Sequence, residues 1–265
     1  MKEEIGVWEE AEEKIGSINL VTTPISSISE LQKVLMVIDA NMMVEKPSFS
    51  LLFRGQDSDF PLVPKSLGGD VEFDNLNSVL QEMIALCKNE IGNTCTDNEV
   101  YFMMRHAGLP SHLLDFSWQW EVALWFAIHD KDGSLKNRDS SLWVLRPLIR
   151  DFCGYDTMNG HMNPVFFPAD QQTCERSRRQ DGCAYTIRFR NDVNGIKPLP
   201  INCDPNYRER LLRIPLAISG YEEFERKSRI DGVGEITKIN SPLTQEVIQK
   251  CLQIFQRKIG MIDTI

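Results

Sequence analysis

The chain has 265 residues with a formal net charge of −9, and 42% of them are hydrophobic. This composition is ordinary for a soluble globular protein, and the negative balance argues against nucleic-acid binding over the whole surface. Seven cysteines without a paired spacing, an acidic N-terminal segment and no apolar run of about 20 residues favour a cytoplasmic protein with reduced thiols and no membrane or metal partner.

Hydrophobic periodicity predicts short helices and strands in an irregular order, without the β-α alternation of a doubly wound sheet. Capping boxes at Ser29 with Gln32 and at Thr96 with Glu99 mark two helix starts. We therefore predict an α+β fold with small mixed or antiparallel sheets flanked by helices. One domain is expected over residues 1–265, with a core from about residue 25 and an extension over 1–24. Helices are predicted over 1–20, 29–43, 71–92, 96–106, 118–129, 207–214, 221–229 and 245–257, and strands over 17–22, 49–54, 141–145, 183–189, 235–239 and 260–265.

The segment RHAGLPSHLLDFSWQWEVALWFAIHD, residues 105–130, combines polar groups with an unusually apolar helix. A helix that is apolar on most sides is predicted to be buried. Asp115 or Ser117 is the expected N-cap of this helix. Because helix N-termini offer free N–H groups and a positive dipole end, this corner is a candidate anion-binding site.

Arg54 follows the apolar run FSLLF, directly before Gly55 and Gln56. A guanidinium at the end of so apolar a strand, which Gly55 is expected to end, needs a partner. Arginine matches phosphate and carboxylate with two parallel hydrogen bonds, and glycine lets a ligand approach closely. The alternative is a structural ion pair with Asp57 or Asp115. The residues alone leave both open.

Two further polar groups are candidates. His106 ends a predicted helix, where it either interacts with the helix dipole or donates to a ribose or phosphate. The run RSRRQDG before the strand CAYTIRF is either a pocket wall or a solvated turn. The segment 176–229 has twelve Lys/Arg against seven Asp/Glu, a local +5, which suits a polyanionic partner or a nucleotide, or is incidental charge on a solvated face.

These motifs together resemble the FRG domain family, which is named for its (F/Y)-R-G motif. The matching runs are FRGQ at 53–56, RHAGLP at 105–110, LLD at 113–115 and ALWFA at 123–127. The run RSRRQDGCAYT is similar to a later family segment, and residues 235–265 are similar to the closing elements, so the resemblance is expected over nearly the whole chain. Arg105 stands where the family usually has glutamine.

The order of motifs also resembles ADP-ribosyltransferases of the Arg-Ser-Glu type. This resemblance implies that Arg54 holds the phosphate or ribose of NAD and that Ser117 orders the site. It places Gln180 in the third motif, although Gly182 stands where the glutamate is expected. The candidate residues are Arg54, His106 and Gln180 for catalysis and Phe53, Gly55, Gln56, Asp115, Ser117 and Arg179 for binding.

The two resemblances imply a nucleotide ligand and two classes of function. One is an NAD-consuming transferase or glycohydrolase, a toxin or phage-defence effector with a protein or nucleic-acid acceptor. The other is a non-catalytic module that binds a nucleotide or a protein. A nuclease-like effector that uses the basic segment 176–229 is a third reading.

Overall fold

The structure is a computed structural model, and it describes most of the chain outside the two termini. Within that part there are six α-helices and eight β-strands. The described residues are 23–42, 50–57, 62–64, 73–92, 95–130, 132–148, 151–152, 166–168, 182–192, 195–207, 210–228 and 242–259. The helices are α1 (Ile28–Met42), α2 (Phe73–Ile91), α3 (Asp97–His106), α4 (Trp120–Ile128), α5 (Tyr221–Ser228) and α6 (Gln245–Ile259). The strands are β1 (Leu52–Asp57), β2 (Leu113–Ser117), β3 (Ser140–Leu145), β4 (Phe166–Pro168), β5 (Gly182–Thr186), β6 (Arg188–Asp192), β7 (Gly195–Leu199) and β8 (Leu211–Leu216).

Six of the strands form one sheet in the order β4-β5-β2-β1-β3-β8, in which every neighbouring pair is antiparallel. Strands β6 and β7 form a separate antiparallel hairpin. The predicted α+β class is confirmed in this form. Strand β1, which carries the F-R-G motif, lies near the middle of the sheet, between β2 and β3.

Side chains of the central strands alternate between two buried faces, as the period of two in a strand requires. On the first face, Leu52 packs in a core with α2, α3 and α6. On the second face, Phe53 packs in a core with α1, α4 and α5. Burial of each large aliphatic or aromatic side chain contributes about 1.5–3 kcal/mol, so both faces stabilise the sheet. Within the described residues, no helix is long and apolar enough to cross a bilayer.

Several local predictions are confirmed. The helices predicted over 29–43, 71–92 and 245–257 correspond to α1, α2 and α6. Thr96 caps α3, because its hydroxyl accepts a hydrogen bond from the Glu99 N–H at 3.3 Å and Glu99 bonds back to the Thr96 backbone. Helix α4 is buried as predicted. The elements predicted over 1–20, 17–22, 235–239 and 260–265 lie outside the described residues.

Other local predictions are wrong at element ends. Strand β1 continues through Gly55, so this glycine does not end it. At α1 the capping hydroxyl belongs to Ser27, which accepts from the Glu30 N–H at 3.2 Å, and the predicted box at Ser29 does not form the cap. The strand predicted over 183–189 is divided at Ile187, whose N–H turns to the His112 carbonyl at 2.9 Å.

Two predictions chose the wrong kind of element. Asp115 and Ser117 do not cap α4, because they lie on strand β2 and the N-cap position is Gln119. Ser117 still orders this junction, since its hydroxyl accepts from the Gln119 N–H at 3.0 Å. A helix is predicted over 207–214, but Tyr207 lies in a turn and residues 211–214 form the first part of β8, where pairing with β3 decides the conformation. Residues 208 and 209 lie outside the described residues.

Candidate functional site

Arg54 lies where the backbone pairing between two central strands stops. Strand β1 pairs with β3 over six residues, but its pairing with β2 is recorded only between Phe53 and Ser117. Beyond that point the Arg54 guanidinium joins the strands, because Nη1 donates to the Asp115 carbonyl at 2.6 Å. Its Nε donates to Gln56 Oε1 at 3.3 Å. The arginine is therefore fixed in the sheet by two hydrogen bonds.

The Asp115 carboxylate is engaged by a second arginine. Arg105, near the C-terminal end of α3, places Nη2 3.1 Å from Asp115 Oδ2, and both side chains are about one-third exposed. We call Arg54, Gln56, Arg105 and Asp115 the Arg54 cluster. It contains two guanidinium groups and one carboxylate, so it carries a net positive charge at the rim of a buried region.

Burial also acts on the charge of Arg54. Desolvation by burial is the main reason that the pKa of its guanidinium is lowered to about 10. The Asp115 carboxylate raises this pKa, whereas the charge of Arg105 lowers it further. The group stays charged at neutral pH, but its charge is only partly compensated. A partly desolvated cation of this kind gains more from an anion than an arginine in bulk water does.

Arg105 has unused donor capacity at this corner. Its Nε is buried, and it has no hydrogen-bond partner in the part of the chain that the structure describes. A buried donor left without an acceptor costs about 1–3 kcal/mol, and more when it is charged. An acceptor oxygen placed beside Arg105 would remove that cost, which makes the cluster suitable for an anionic ligand.

Gly55 has a packing role that explains its place in the motif. A Cβ atom at this position would lie 1.9 Å from the Ala123 carbonyl oxygen and 2.4 Å from the Ala127 nitrogen. These alanines are one turn apart on α4, so the helix backbone lies directly on β1. The backbone of α4 thus occupies the space that a side chain at position 55 would need. Its predicted binding role stays a prediction.

The other predicted binding residues lie in different surroundings. Phe53 is 7% exposed and packs in the core of the second face, away from the Arg54 side chain. Ser117 is buried at the end of β2, where it bonds to the Gln119 N–H. Gln56 belongs to the Arg54 cluster through its bond to Arg54. Ligand contact by these three residues stays a prediction.

The structure describes only one of the two predicted catalytic partners of Arg54, which are His106 and Gln180. His106 is the last residue of α3, and its ring contacts the Phe102 ring at a centroid distance of 6.5 Å. Its role as a donor or acid–base group stays a prediction. Gln180 and Arg179 lie outside the described residues, as does the whole run from Arg176 to Asp181.

Two other histidines, His112 and His129, pack against aromatic rings. His112 packs edge-on against the Tyr101 ring at 4.4 Å, and burial lowers the pKa of its imidazole to about 4. His129 stacks on Trp125 at 4.6 Å, with Nδ1 3.0 Å from the Trp125 carbonyl oxygen. Within the described residues, no group of three His, Cys, Asp or Glu side chains could hold a metal ion.

The sequence-based predictions do not include Arg105 as a site residue. It is adjacent to His106 in the chain, and the sequence distinguishes it only as the position at which the family usually has glutamine. The contact with Asp115 shows its place, because the end of α3 meets β2 there. The sequence does show a cation, Arg105, before the Gly-Leu-Pro turn and a carboxylate, Asp115, after it. This order alone does not predict their contact, because the fold sets the distance between them.

The fold and this cluster define a mixed α+β protein with a cationic corner on a central antiparallel sheet. Comparison with protein-family models matches residues 50–135 to the FRG domain. The chain therefore carries an FRG domain, as its motifs predicted, and the match includes β1, α3, β2 and α4. The match is narrower than the predicted resemblance over nearly the whole chain. No curated protein and no solved structure gives a significant match.

Proposed function

We propose that this FRG-domain protein binds NAD or a related nucleotide through phosphate groups at the Arg54 cluster, in an ADP-ribosyltransferase-like arrangement. The observation that supports it is the presence of two guanidinium groups, Arg54 and Arg105, around the single carboxylate of Asp115. Guanidinium is planar and matches phosphate oxygens with parallel hydrogen bonds, and partial burial strengthens such a charged contact.

The enzymatic form of the proposal is cleavage of NAD. The bond between the ribose C1′ and the nicotinamide nitrogen breaks, nicotinamide leaves, and the oxygen or nitrogen of water or of a protein or nucleic-acid acceptor bonds to C1′ while losing a proton. Arg54 would hold a phosphate, and His106 and Gln180 would line the ribose. By resemblance, such an activity suits a toxin or phage-defence effector.

The second candidate is a non-catalytic module that binds a nucleotide or a protein with the same cluster. Two observations favour it. The Asp115 carboxylate pairs with Arg105 at 3.1 Å, which leaves it less able to stabilise a developing cation. Position 182, on strand β5, is a glycine and supplies no carboxylate where the transferase resemblance expects a glutamate.

The test is nicotinamide release from NAD by the purified protein, together with the change in melting temperature on adding NAD or ADP-ribose. Arg54→Ala removes the central cation. Arg226→Ala is the matched control, because Arg226 is an exposed arginine on α5, which covers the second face of the sheet. Circular dichroism verifies that both variants fold.

Release that disappears in folded Arg54→Ala and persists in Arg226→Ala would support the enzyme. A melting-temperature increase without release, again dependent on Arg54, would support the binding module and exclude hydrolysis of NAD by the protein alone. A wild-type protein that neither releases nicotinamide nor shifts with NAD or ADP-ribose would contradict nucleotide binding.

A further inference from the structure

We infer that a diphosphate group binds across three neighbouring strands, on a row of donor side chains formed by Arg54, Trp143 and Arg213. We call these three residues the donor row. The inference deepens the proposed function, and it rests on that function for the identity of the ligand as a nucleotide. The preference for a diphosphate follows from the row itself.

The strand register places the three residues side by side. Arg54 on β1 is opposite Trp143 on β3, and Trp143 is opposite Arg213 on β8. Directly opposed residues share a face and have Cβ atoms about 5 Å apart, so the two arginines are rooted about 10 Å apart. The preceding row, Leu52, Leu145 and Leu211, packs in the core of the first face, which fixes the side on which the donor row lies.

Trp143 provides the observation that points to a ligand. Trp143 is 4% exposed, and its indole Nε1 is buried without a hydrogen-bond partner among the described residues. An indole N–H only donates, and the guanidinium groups on either side also only donate. Neither neighbour in the row can satisfy it. A group rich in acceptor oxygens, such as phosphate, would accept from all three side chains.

The next row of the sheet positions both arginines. Gln56 is opposite Ser141 in the register, and each accepts from one arginine Nε. The bond from Arg54 to Gln56 Oε1 is 3.3 Å, and that from Arg213 to Ser141 Oγ is 2.8 Å. Ser141 is fully buried. Both guanidinium groups are thus oriented through their Nε atoms, and in Arg54 the Nη1 atom also donates to the Asp115 carbonyl at 2.6 Å. A guanidinium has five N–H donors, so a bond at Nε leaves its Nη groups pointing along the row as donors for a ligand.

The distance across the row favours a diphosphate over a single phosphate. One phosphoryl group can accept from one arginine and from the indole, whereas two linked phosphoryl groups can reach both arginines. Two cations on one face, about 10 Å apart, also repel each other slightly and are relieved by a dianion between them. Dinucleotides such as NAD contain this group, so the donor row would bind the part of the ligand that all of them share.

The test is calorimetric titration of the full chain with inorganic pyrophosphate, inorganic phosphate, succinate, ADP-ribose and NAD at constant ionic strength. Arg213→Gln should weaken pyrophosphate and ADP-ribose binding about 10- to 100-fold, and Trp143→Phe, which removes only the indole donor, about 5-fold. Arg213→Lys should restore part of the loss. Arg226→Gln, on the opposite face, should change neither affinity.

The outcomes separate this inference from the proposed function. If Arg54→Gln abolishes NAD and ADP-ribose binding while Arg213→Gln and Trp143→Phe leave it unchanged, the donor row is wrong and nucleotide binding stands. If pyrophosphate binds with the expected sensitivities but NAD and ADP-ribose do not bind, nucleotide binding is wrong and the donor row stands. Phosphate or succinate binding as tight as pyrophosphate would overturn the diphosphate assignment. If Arg213→Gln does not fold, Arg213→Lys and Trp143→Phe decide.

Discussion

Replacing Gly55 with alanine would place a methyl group inside the contact between β1 and α4. The added Cβ would lie 1.9 Å from the Ala123 oxygen and 2.9 Å from the Ala127 Cα, where ordinary carbon contacts are about 3.5–4.0 Å. All the obstructing atoms belong to the helix backbone, so no change of rotamer relieves the overlap. Overpacking typically costs about 1–3 kcal/mol, and we expect Gly55→Ala to cost about 3 kcal/mol or more.

A second glycine separates overlap from backbone strain. Gly133 has φ +84°, and a Cβ there would meet nothing within 4 Å. Gly133→Ala should therefore cost only the left-handed strain of about 1–2 kcal/mol. Urea unfolding of the wild type and both variants, followed by circular dichroism, gives the free energy of unfolding for each. A smaller loss for Gly55→Ala than for Gly133→Ala would show that α4 does not lie on β1 as described.

Two substitutions and one labelling experiment test the packing of side chains outside the Arg54 cluster. Burial lowers the pKa of His112 from its ordinary 6.5 to about 4, so the unfolded chain takes up a proton first as the pH falls. The contribution of neutral His112 to the free energy of unfolding is complete above pH 6.5 and falls by about 3 kcal/mol between pH 6.5 and 4. In His112→Phe, the free energy of unfolding should therefore change less with pH over this range. Lys136→Met removes the bonds from Nζ to the Phe126 and Ala127 carbonyls, at 3.0 and 2.8 Å, and should lower the free energy of unfolding by about 1–3 kcal/mol in urea titrations. Exposed Cys203 should react with a thiol reagent in the native protein, and buried Cys183, whose thiol pKa is raised by burial, should react only after unfolding, as peptide mass spectrometry can measure.

Features that depend on neighbouring residues in the chain could be predicted from the sequence. The capping box at Thr96 and the apolar spacing within α2 and α6 each involve residues a few positions apart. The burial of α4 follows from a sequence that is apolar on most sides. These patterns need no information about which strands pair, so they locate the helices that support the site.

The donor row could not be predicted in this way. Tyr207, Leu211 and Ile214 have spacing that imitates a helix, whereas the chain at Leu211 pairs with β3 as an edge strand. The local pattern therefore predicts Arg213 in a helix, and nothing in it links Arg213 to Trp143. Strand register depends on contacts between residues that are far apart in the chain, and it decides which polar side chains meet on one face.

The F-R-G motif combines two requirements that strand alternation separates. Phe53 and Gly55 lie on the second face, where one fills the core and the other admits α4, whereas Arg54 lies on the first face. The phenylalanine and glycine can thus be required by packing alone, and of the three residues only the arginine belongs to the proposed binding site. We expect Phe53→Leu to lower the free energy of unfolding by about 1–2 kcal/mol through lost packing and to leave ADP-ribose affinity unchanged. Arg54→Lys should weaken that affinity, because lysine lacks the planar donors. Calorimetry and urea unfolding on both variants measure the two effects, and a loss of affinity in Phe53→Leu equal to that in Arg54→Lys would contradict the separation.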